Sequence, residues 1–274
     1  SLVQHLLQLG HTVYLIDFGE PDATDRDVTL SDYVLRWVPA AVDAARKDSG
    51  CDDLFMMGYC MGGLFALMYC ATTPDPPVRG VVTIASPFDS HKMGLLSGLA
   101  QLFHREVDFV SRHLGNVPGS LSSSMFKMMN PLKQVTRYAD LFFNLYDEQY
   151  VRGFEALSAW TDNFIDYPQQ AFRDVFQQFI LDNEFKAQGI TLTSPEGGDT
   201  QLARLRAVEV PLLAFAGESD DVVHPAAVRE LPDLVSSSDV TVRMAPGGHM
   251  GVFAGRNAPT AVWQPASTWI RERC

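Results

Sequence analysis

The run Leu54-Phe-Met-Met-Gly58-Tyr-Cys60-Met-Gly-Gly63 decides the fold. Its first five residues are an apolar segment of the length typical of a buried strand, and the residues from Cys60 to about Thr72 have the texture of a buried helix. No charge occurs between Leu54 and Pro74. That length alone would suit a membrane span. The glycines and the change of texture inside the run favour a buried strand that turns into a buried helix.

The turn between this strand and this helix has the pattern G-x-nucleophile-x-G, with Cys60 at its centre. Such a turn presents the Cys60 side chain at the carboxyl edge of the sheet, where open α/β sheets bind ligands. It also places the thiol at a helix N-terminus, which favours the thiolate. The backbone N–H of Met61 then points to where an oxyanion would form. The alternative is a structural cysteine in a glycine-rich turn, and the strand–turn–helix context favours the nucleophile.

A nucleophilic cysteine needs a base, and the base needs an orienting group. In this arrangement both follow later strands, in the order nucleophile, acid, histidine. Strand texture at 212–216 is followed by Asp220 and Asp221, and strand texture at 240–244 is followed by His249 between glycines. We therefore predict His249 as the base rather than a loop histidine satisfied by a carbonyl. For the acid we choose Asp220, because Asp-x-Val-Val-x-Pro is the usual form of such a loop, with Asp221 as the alternate.

The rest of the chain predicts one α/β core with a helical insertion. Apolar faces and runs alternate as helix, strand, helix, strand, helix, strand up to residue 85, which indicates a mostly parallel sheet with helices on both faces. We assign residues 1–90 and 205–274 to the core and residues 91–204 to a helical cap insertion without a convincing strand. The predicted segments outside the opening run are a helix over 2–9, strands at 12–17, 80–85, 212–216 and 240–244, and helices over 29–46 and 260–273.

Composition narrows the class of protein. The 274 residues include 21 Lys+Arg and 33 Asp+Glu, a net charge of −12, which argues against a basic groove for nucleic acid. The spacing of the 4 cysteines fits neither a metal site nor a disulfide scaffold and favours a reducing, cytoplasmic setting. We predict no cofactor and no metal, and we expect Cys51, Cys70 and Cys274 to be small buried residues.

At these residues the sequence resembles the polyhydroxyalkanoate synthases, whose core is an α/β-hydrolase fold. It is most similar to their short, two-subunit (class III) type. The resemblance implies that Cys60 is the nucleophile, Asp220 the acid and His249 the base, and that the insertion is the family's cap over the active site. The motifs that carry it are Tyr14–Gly19 with Pro21-Asp22, Leu30–Tyr33, Gly58–Gly63, Gly115–Gly119, Trp160, Phe176–Phe179, Phe215-Ala216, Asp220-x-Val-Val and Gly247–Gly251.

The resemblance also implies an activity and its partners. An (R)-3-hydroxyacyl group would pass from coenzyme A to Cys60 as a thioester, and a hydroxyl of the growing polyester would then take it. The implied partners are 3-hydroxyacyl-CoA, the growing polyester, a second synthase subunit and a second copy of the chain. The implied location is the cytoplasm, at the surface of polyester granules.

Two alternatives remain beside this interpretation. One is a Cys-triad hydrolase, similar to dienelactone hydrolases, thioesterases or polyhydroxyalkanoate depolymerases, although such compact hydrolases lack an insertion of this size. The other is a non-catalytic binding protein with the same fold. In the family the strand before the first helix lies between its neighbours, and the chain begins at that helix. We therefore expect the N-terminal strands of the core to be missing, which would leave a gap with unpaired backbone groups.

Overall fold

The computed structural model of the chain describes residues 1–128 and 138–274. These residues form two compact units. Unit 1 comprises Ser1–Phe18, Thr29–Leu102 and Asp174–Cys274, and unit 2 comprises Gly19–Val28 and Phe103–Arg173. The units divide the chain at other residues than the predicted domain boundaries, because unit 1 takes in both ends of the predicted insertion, residues 91–102 and 174–204.

The described strands all lie in unit 1. They are β1 (Leu54–Tyr59), β2 (Val78–Ile84), β3 (Ile190–Thr193), β4 (Thr200–Ala203), β5 (Leu212–Gly217) and β6 (Val240–Ala245). Four of them form a parallel sheet in the order β1-β2-β5-β6, and β3 and β4 form a separate antiparallel pair. Each neighbouring pair in the larger sheet is parallel and in continuous register over four or more residues.

Helices account for most of the remaining structure in both units. None of those in the described ranges is long and apolar enough to cross a membrane. They are α1 (Leu2–Gln8), α2 (Val38–Ser49), α3 (Met61–Thr72), α4 (Leu95–Leu102), α5 (His104–Leu114), α6 (Gly119–Met128), α7 (Glu148–Asp162), α8 (Gln169–Asp174), α9 (Glu184–Ala187), α10 (Ala226–Arg229), α11 (Leu231–Leu234), α12 (His249–Ala254) and α13 (Gln264–Arg271), with π-helical turns at Asp32–Trp37, Val175–Leu181 and Pro259–Trp263.

The sheet is covered on both faces because successive strand side chains point in opposite directions. Val81 packs into a core with Leu64 and Leu67 of α3, whereas its neighbour Val82 packs into a second core with Val262 and Trp269. All six residues of β5 are buried, as expected for a central parallel strand. This three-layer arrangement confirms the predicted parallel sheet with helices on both faces.

The strand predicted at 12–17 is wrong. The segment has no regular secondary structure, and it joins none of the described strands. Its apolar side chains lie at the surface, and Leu15 is 81% exposed. A strand exists only where a neighbour completes its hydrogen bonds. Among the described residues, no strand pairs with this segment.

The prediction that residues 91–204 hold no strand is also wrong. Strands β3 and β4 pair antiparallel from Ile190↔Ala203 to Thr193↔Thr200. In β3, buried and exposed residues alternate, and Gly197 and Gly198 lie in the connecting loop with positive φ angles. This alternation beside a glycine turn is the usual hairpin signal. The pair belongs to unit 1, so the insertion is not helical throughout.

Candidate active site

Cys60 occupies the predicted turn between β1 and α3. It has φ 50° and ψ −116°, a backbone conformation that non-glycine residues adopt only where the surrounding structure imposes it. Its backbone N–H donates to the carbonyl of Ile84 at 2.9 Å, which ties the turn to β2. The thiol is free and partly exposed. Met61 is the first residue of α3, so its N–H has no carbonyl partner within the helix.

Glycines make this turn possible, but not every glycine of the motif is required for it. A Cβ on Gly58 would lie 2.3 Å from backbone atoms of Gly62 and Gly63. A Cβ on Gly63 would lie 2.1 Å from the Oγ of Ser86, whereas a Cβ on Gly62 would have no heavy atom within 4 Å. The close packing of α3 against β1 requires Gly58, and its close packing against the end of β2 requires Gly63, whereas Gly62 is not needed for either.

Asp220 and His249 meet at the carboxyl ends of β5 and β6. The distance from His249 Nδ1 to Asp220 Oδ2 is 2.8 Å, and both side chains are buried. The other carboxylate oxygen of Asp220 accepts backbone hydrogen bonds from Val222 at 2.9 Å and from Val223 at 2.8 Å. These bonds fix the carboxylate toward the imidazole. Asp221, the alternate, is exposed.

The environment of His249 favours its protonated form. Burial lowers the pKa of His249, but the hydrogen bonds to Asp220 and Cys60 and the negative charges of both groups outweigh burial and raise the pKa to about 10. The Cys60 side chain therefore lies within hydrogen-bonding reach of the imidazole. A protonated imidazole can hold the carboxylate on one side and a thiolate on the other. The structure thus brings together Cys60, His249 and Asp220, with His249 and Asp220 buried and Cys60 partly exposed.

Tyr59 also contacts this site, and the sequence gives no signal for it beyond its position next to Cys60. Its ring centroid lies 5.0 Å from that of His249 and 4.5 Å from that of Phe253. Its hydroxyl lies 3.2 Å from the sulfur of Met250. Burial raises the pKa of Tyr59, as do the charges of Cys60 and Asp220. The phenol therefore stays neutral, and its ring packs against the imidazole.

Other residues weighed from the sequence lie elsewhere. Cys70 is buried as predicted, but Cys51 and Cys274 are exposed. Burial raises the pKa of the Cys70 thiol to about 12. In the described ranges, no group of three His, Cys, Asp or Glu side chains could hold a metal ion.

The sequence has relatives among characterised proteins. The family described as "alpha/beta hydrolase fold" matches residues 1–255, and this match confirms the predicted fold class. The poly(3-hydroxyalkanoate) polymerase subunit PhaC of Allochromatium vinosum is 34% identical over 275 residues, which cover 100% of this chain and 75% of that protein. The protein of the same name in Haloferax mediterranei is 33% identical over 276 residues, and there the chain spans 54% of the relative's length. The PhaC protein of Synechocystis is 31% identical, with 72% of its length covered.

Solved structures agree on the fold. The Rv0554 protein of Mycobacterium tuberculosis superposes with a TM-score of 0.56 at 18% identity, and the match covers 99% of this chain and 84% of that chain. A monoacylglycerol lipase of Paleococcus ferrophilus superposes with a TM-score of 0.51 at 18% identity, covering 88% of this chain and 76% of that one. At this identity the likeness concerns the fold alone.

Proposed function

The chain belongs to the α/β-hydrolase fold family and, within it, to the poly(3-hydroxyalkanoate) polymerase family, and on that premise we propose that it is an acyltransferase. The proposed reaction transfers (R)-3-hydroxyacyl groups from coenzyme A into a polyester through a thioester on Cys60. Cys60 is the proposed nucleophile, His249 the proposed base and Asp220 the proposed orienting acid. The backbone N–H of Met61 is proposed to bind the developing oxyanion.

The first half-reaction loads the enzyme. The proton of Cys60 moves to His249, and the thiolate attacks the carbonyl carbon of the acyl-CoA thioester. The tetrahedral oxyanion receives a hydrogen bond from Met61 N–H. The carbon–sulfur bond to CoA breaks, and the CoA sulfur leaves with the proton from His249. One thioester replaces another, so this exchange is close to isoenergetic.

The second half-reaction extends the polymer. The hydroxyl of a growing chain or of a second acyl unit attacks the Cys60 thioester while His249 accepts its proton. The carbon–sulfur bond breaks, an ester forms, and the Cys60 thiolate is left beside the imidazolium. Asp220 stabilises the imidazolium in both halves because its carboxylate faces Nδ1, the role an orienting acid has in such triads.

The observation that carries this proposal is the row of hydrogen bonds from Cys60 through His249 to Asp220. Nucleophile, base and acid within hydrogen-bonding reach are the geometric signature of nucleophilic catalysis. The binding alternative gives no reason for a strained Cys60 backbone beside a histidine whose pKa is raised.

We extend the proposal to partners and location. Relatives are named as a polymerase subunit, which supports an assembly with a second synthase subunit, and we propose a second copy of the chain as a further partner. A polyester product is insoluble in water, so an enzyme that holds the growing chain is carried to the surface of the polymer. We therefore propose that it works in the cytoplasm at the surface of polyester granules.

The test is a CoA-release assay on (R)-3-hydroxybutyryl-CoA with identification of the product. We expect CoA release with polymer formation, and a fall of at least about 1000-fold in Cys60→Ala because the nucleophile is lost. Cys70→Ala is the matched control, since this buried cysteine of the following helix lies outside the site. Full activity in Cys60→Ala would contradict the mechanism. Free 3-hydroxybutyrate without polymer would favour the hydrolase alternative.

A further inference from the structure

The segment Ile84–Ser90, which leaves the end of β2, contacts both halves of the candidate site. At its beginning, the carbonyl of Ile84 accepts the backbone N–H of Cys60 at 2.9 Å, and Ser86 packs directly against Gly63. At its far end, the N–H groups of Phe88 and Asp89 both donate to the carbonyl of Ala227, at 2.8 and 3.2 Å. One short segment thus spans the distance from the nucleophile turn to the chain that follows the acid.

The far end of this segment is held by a buried carboxylate. Asp89 is 2% exposed. Its Oδ2 accepts a hydrogen bond from the Nζ of Lys186 at 2.6 Å, and its Oδ1 accepts one from the Nδ2 of Asn183 at 2.8 Å. Burial raises the pKa of Asp89, but these hydrogen bonds and the charge of Lys186 outweigh burial and lower it. Asp89 is therefore ionised at neutral pH.

The same lysine joins Asp89 to the acid side of the site. The Nζ of Lys186 donates to Glu230 as well, at 2.6 Å. Lys92 pairs with Glu230 and lies 3.8 Å from Asp89. We call these five residues, Asp89, Lys92, Asn183, Lys186 and Glu230, the Asp89 network. Its two carboxylates and two ammonium groups balance in charge, so the network is neutral as a whole.

A short stretch of backbone with its own hydrogen bonds links Asp220 to this network. The Asp220 carboxylate accepts hydrogen bonds from the backbone N–H groups of Val222 and Val223. The next turn closes when the N–H of Ala227 donates to the carbonyl of His224 at 2.8 Å. Ala227 is the residue that the Asp89 segment holds, and Glu230 lies three positions further on. The loop that carries Asp220 is therefore fixed at Ala227 and at Glu230.

We propose that Asp89 is a positioning residue of this site: through the Asp89 network it fixes the loop of Asp220 relative to the turn of Cys60. This inference rests on the proposed function, because it concerns the same nucleophile and acid. Stability alone explains the network poorly, since a buried ion pair is often no more stabilising than apolar residues of the same size. Its place at a segment that joins both halves of the site is what a positioning role predicts.

The experiment measures how fast Cys60 is alkylated by iodoacetamide as a function of pH. The background is Cys51→Ser with Cys274→Ser, which leaves only Cys60 and the buried Cys70. Asp89→Asn is the test variant. Asp53→Asn is the matched control, because Asp53 pairs with Arg79 at 2.8 Å beside the opposite end of β2, in a partly exposed position.

We expect Asp89→Asn to slow alkylation about fivefold at pH 7 and to leave the rate at high pH unchanged, because hydroxide replaces the imidazole as the base there. A displaced Asp220 supports the imidazolium less well, so the imidazolium stabilises the attacking sulfur less at pH 7. Asp220 and Tyr59 are titratable groups that face Cys60 and His249, and neither is changed. Asp53→Asn should follow the parent profile.

The outcomes separate the two proposals. If Asp89→Asn lowers the melting temperature but keeps the parent profile, the network is only structural and the positioning role is overturned. If Asp89→Asn does not fold, Glu230→Gln takes its place with a smaller shift in the same direction, and an unchanged profile there overturns the proposal equally. The assay follows only the Cys60 thiol, so a failure of polymer synthesis is detected separately by CoA release.

Discussion

Units 1 and 2 use their apolar and charged side chains in opposite ways. In unit 1 the large side chains of the central strand β5, such as Phe215, are fully buried, and the charged groups near the site have fixed partners. In unit 2 many large apolar side chains lie at the surface, and Phe143 is 79% and Tyr146 100% exposed. Others exposed in unit 2 are Phe109, Tyr138, Phe142, Trp160 and Ile165.

This contrast indicates where single substitutions should have the largest effect. Contacts within unit 2, such as the backbone pair Val117↔Tyr167 and the hydrogen bond from Ser123 to the carbonyl of Thr161 at 2.7 Å, are made beside exposed apolar side chains. The sheet of unit 1 instead holds each side chain between two layers. Substitutions should therefore have large effects in unit 1 and small ones in unit 2.

The largest contrast is expected between acidic residues. Asp220→Asn should lower CoA release about 1000- to 10,000-fold, because the amide no longer supports the imidazolium. Asp221→Asn, one residue away but exposed, should stay near the parent. Asp162→Asn in unit 2, which breaks the exposed 2.6 Å pair with Lys127, should also be near neutral. If Asp221→Asn costs as much as Asp220→Asn, the assignment of the acid is wrong.

The next largest difference between the units is expected in the stability lost when a phenylalanine is truncated. Phe215→Ala, in the centre of the sheet, should reduce the free energy of unfolding by about 3–5 kcal/mol, because it leaves a cavity. Phe143→Ala should change it by less than about 0.5 kcal/mol, since most of this side chain already contacts water. Urea unfolding measures both. A cost above about 2 kcal/mol for Phe143→Ala would mean that unit 2 holds its exposed rings as firmly as unit 1 holds its core.

The smallest difference is expected in the stability change when a glycine is replaced by alanine. Gly63→Ala should destabilise the fold by about 1–3 kcal/mol, because its Cβ would overlap Ser86. Gly62→Ala one position earlier should be neutral or stabilising by up to about 1 kcal/mol, as alanine is the better helix former. Gly153→Ala in α7 of unit 2, where a Cβ would also meet nothing within 4 Å, should behave like Gly62→Ala. Equal losses at Gly62 and Gly63 would contradict the packing described for the Cys60 turn.

Much of unit 1 could be predicted from the sequence because its signals are local. The uncharged run from Leu54 to Pro74 indicates β1 and α3, and the structure has both within two residues of the predicted ends. Thr29 and Asp32, at the start of the helix predicted over 29–46, make reciprocal hydrogen bonds of 2.8 and 3.3 Å that cap it. The row of Cys60, His249 and Asp220 follows from a turn motif and two strand ends.

The features that escaped prediction depend on partners far along the chain. The pattern at 12–17 has strand character, but pairing and not pattern makes a strand. Asp89 looks like an ordinary acidic residue after a strand, and only the fold brings Lys186 and Asn183 to it, 97 and 94 positions away. In the sequence, Tyr59 has the pattern of an apolar strand residue, and only the fold brings His249 against its ring. Such residues carry no sequence signal of their own.

A single-turnover experiment tests whether Cys60 carries the acyl group as a thioester. The protein is mixed with one equivalent of (R)-3-hydroxybutyryl-CoA, quenched in acid and analysed by peptide mass spectrometry. We expect one 3-hydroxybutyryl group on Cys60 that hydroxylamine removes, with none bound in Cys60→Ala. CoA release with an unmodified Cys60 at every time point, or with the acyl group on another residue, would contradict it.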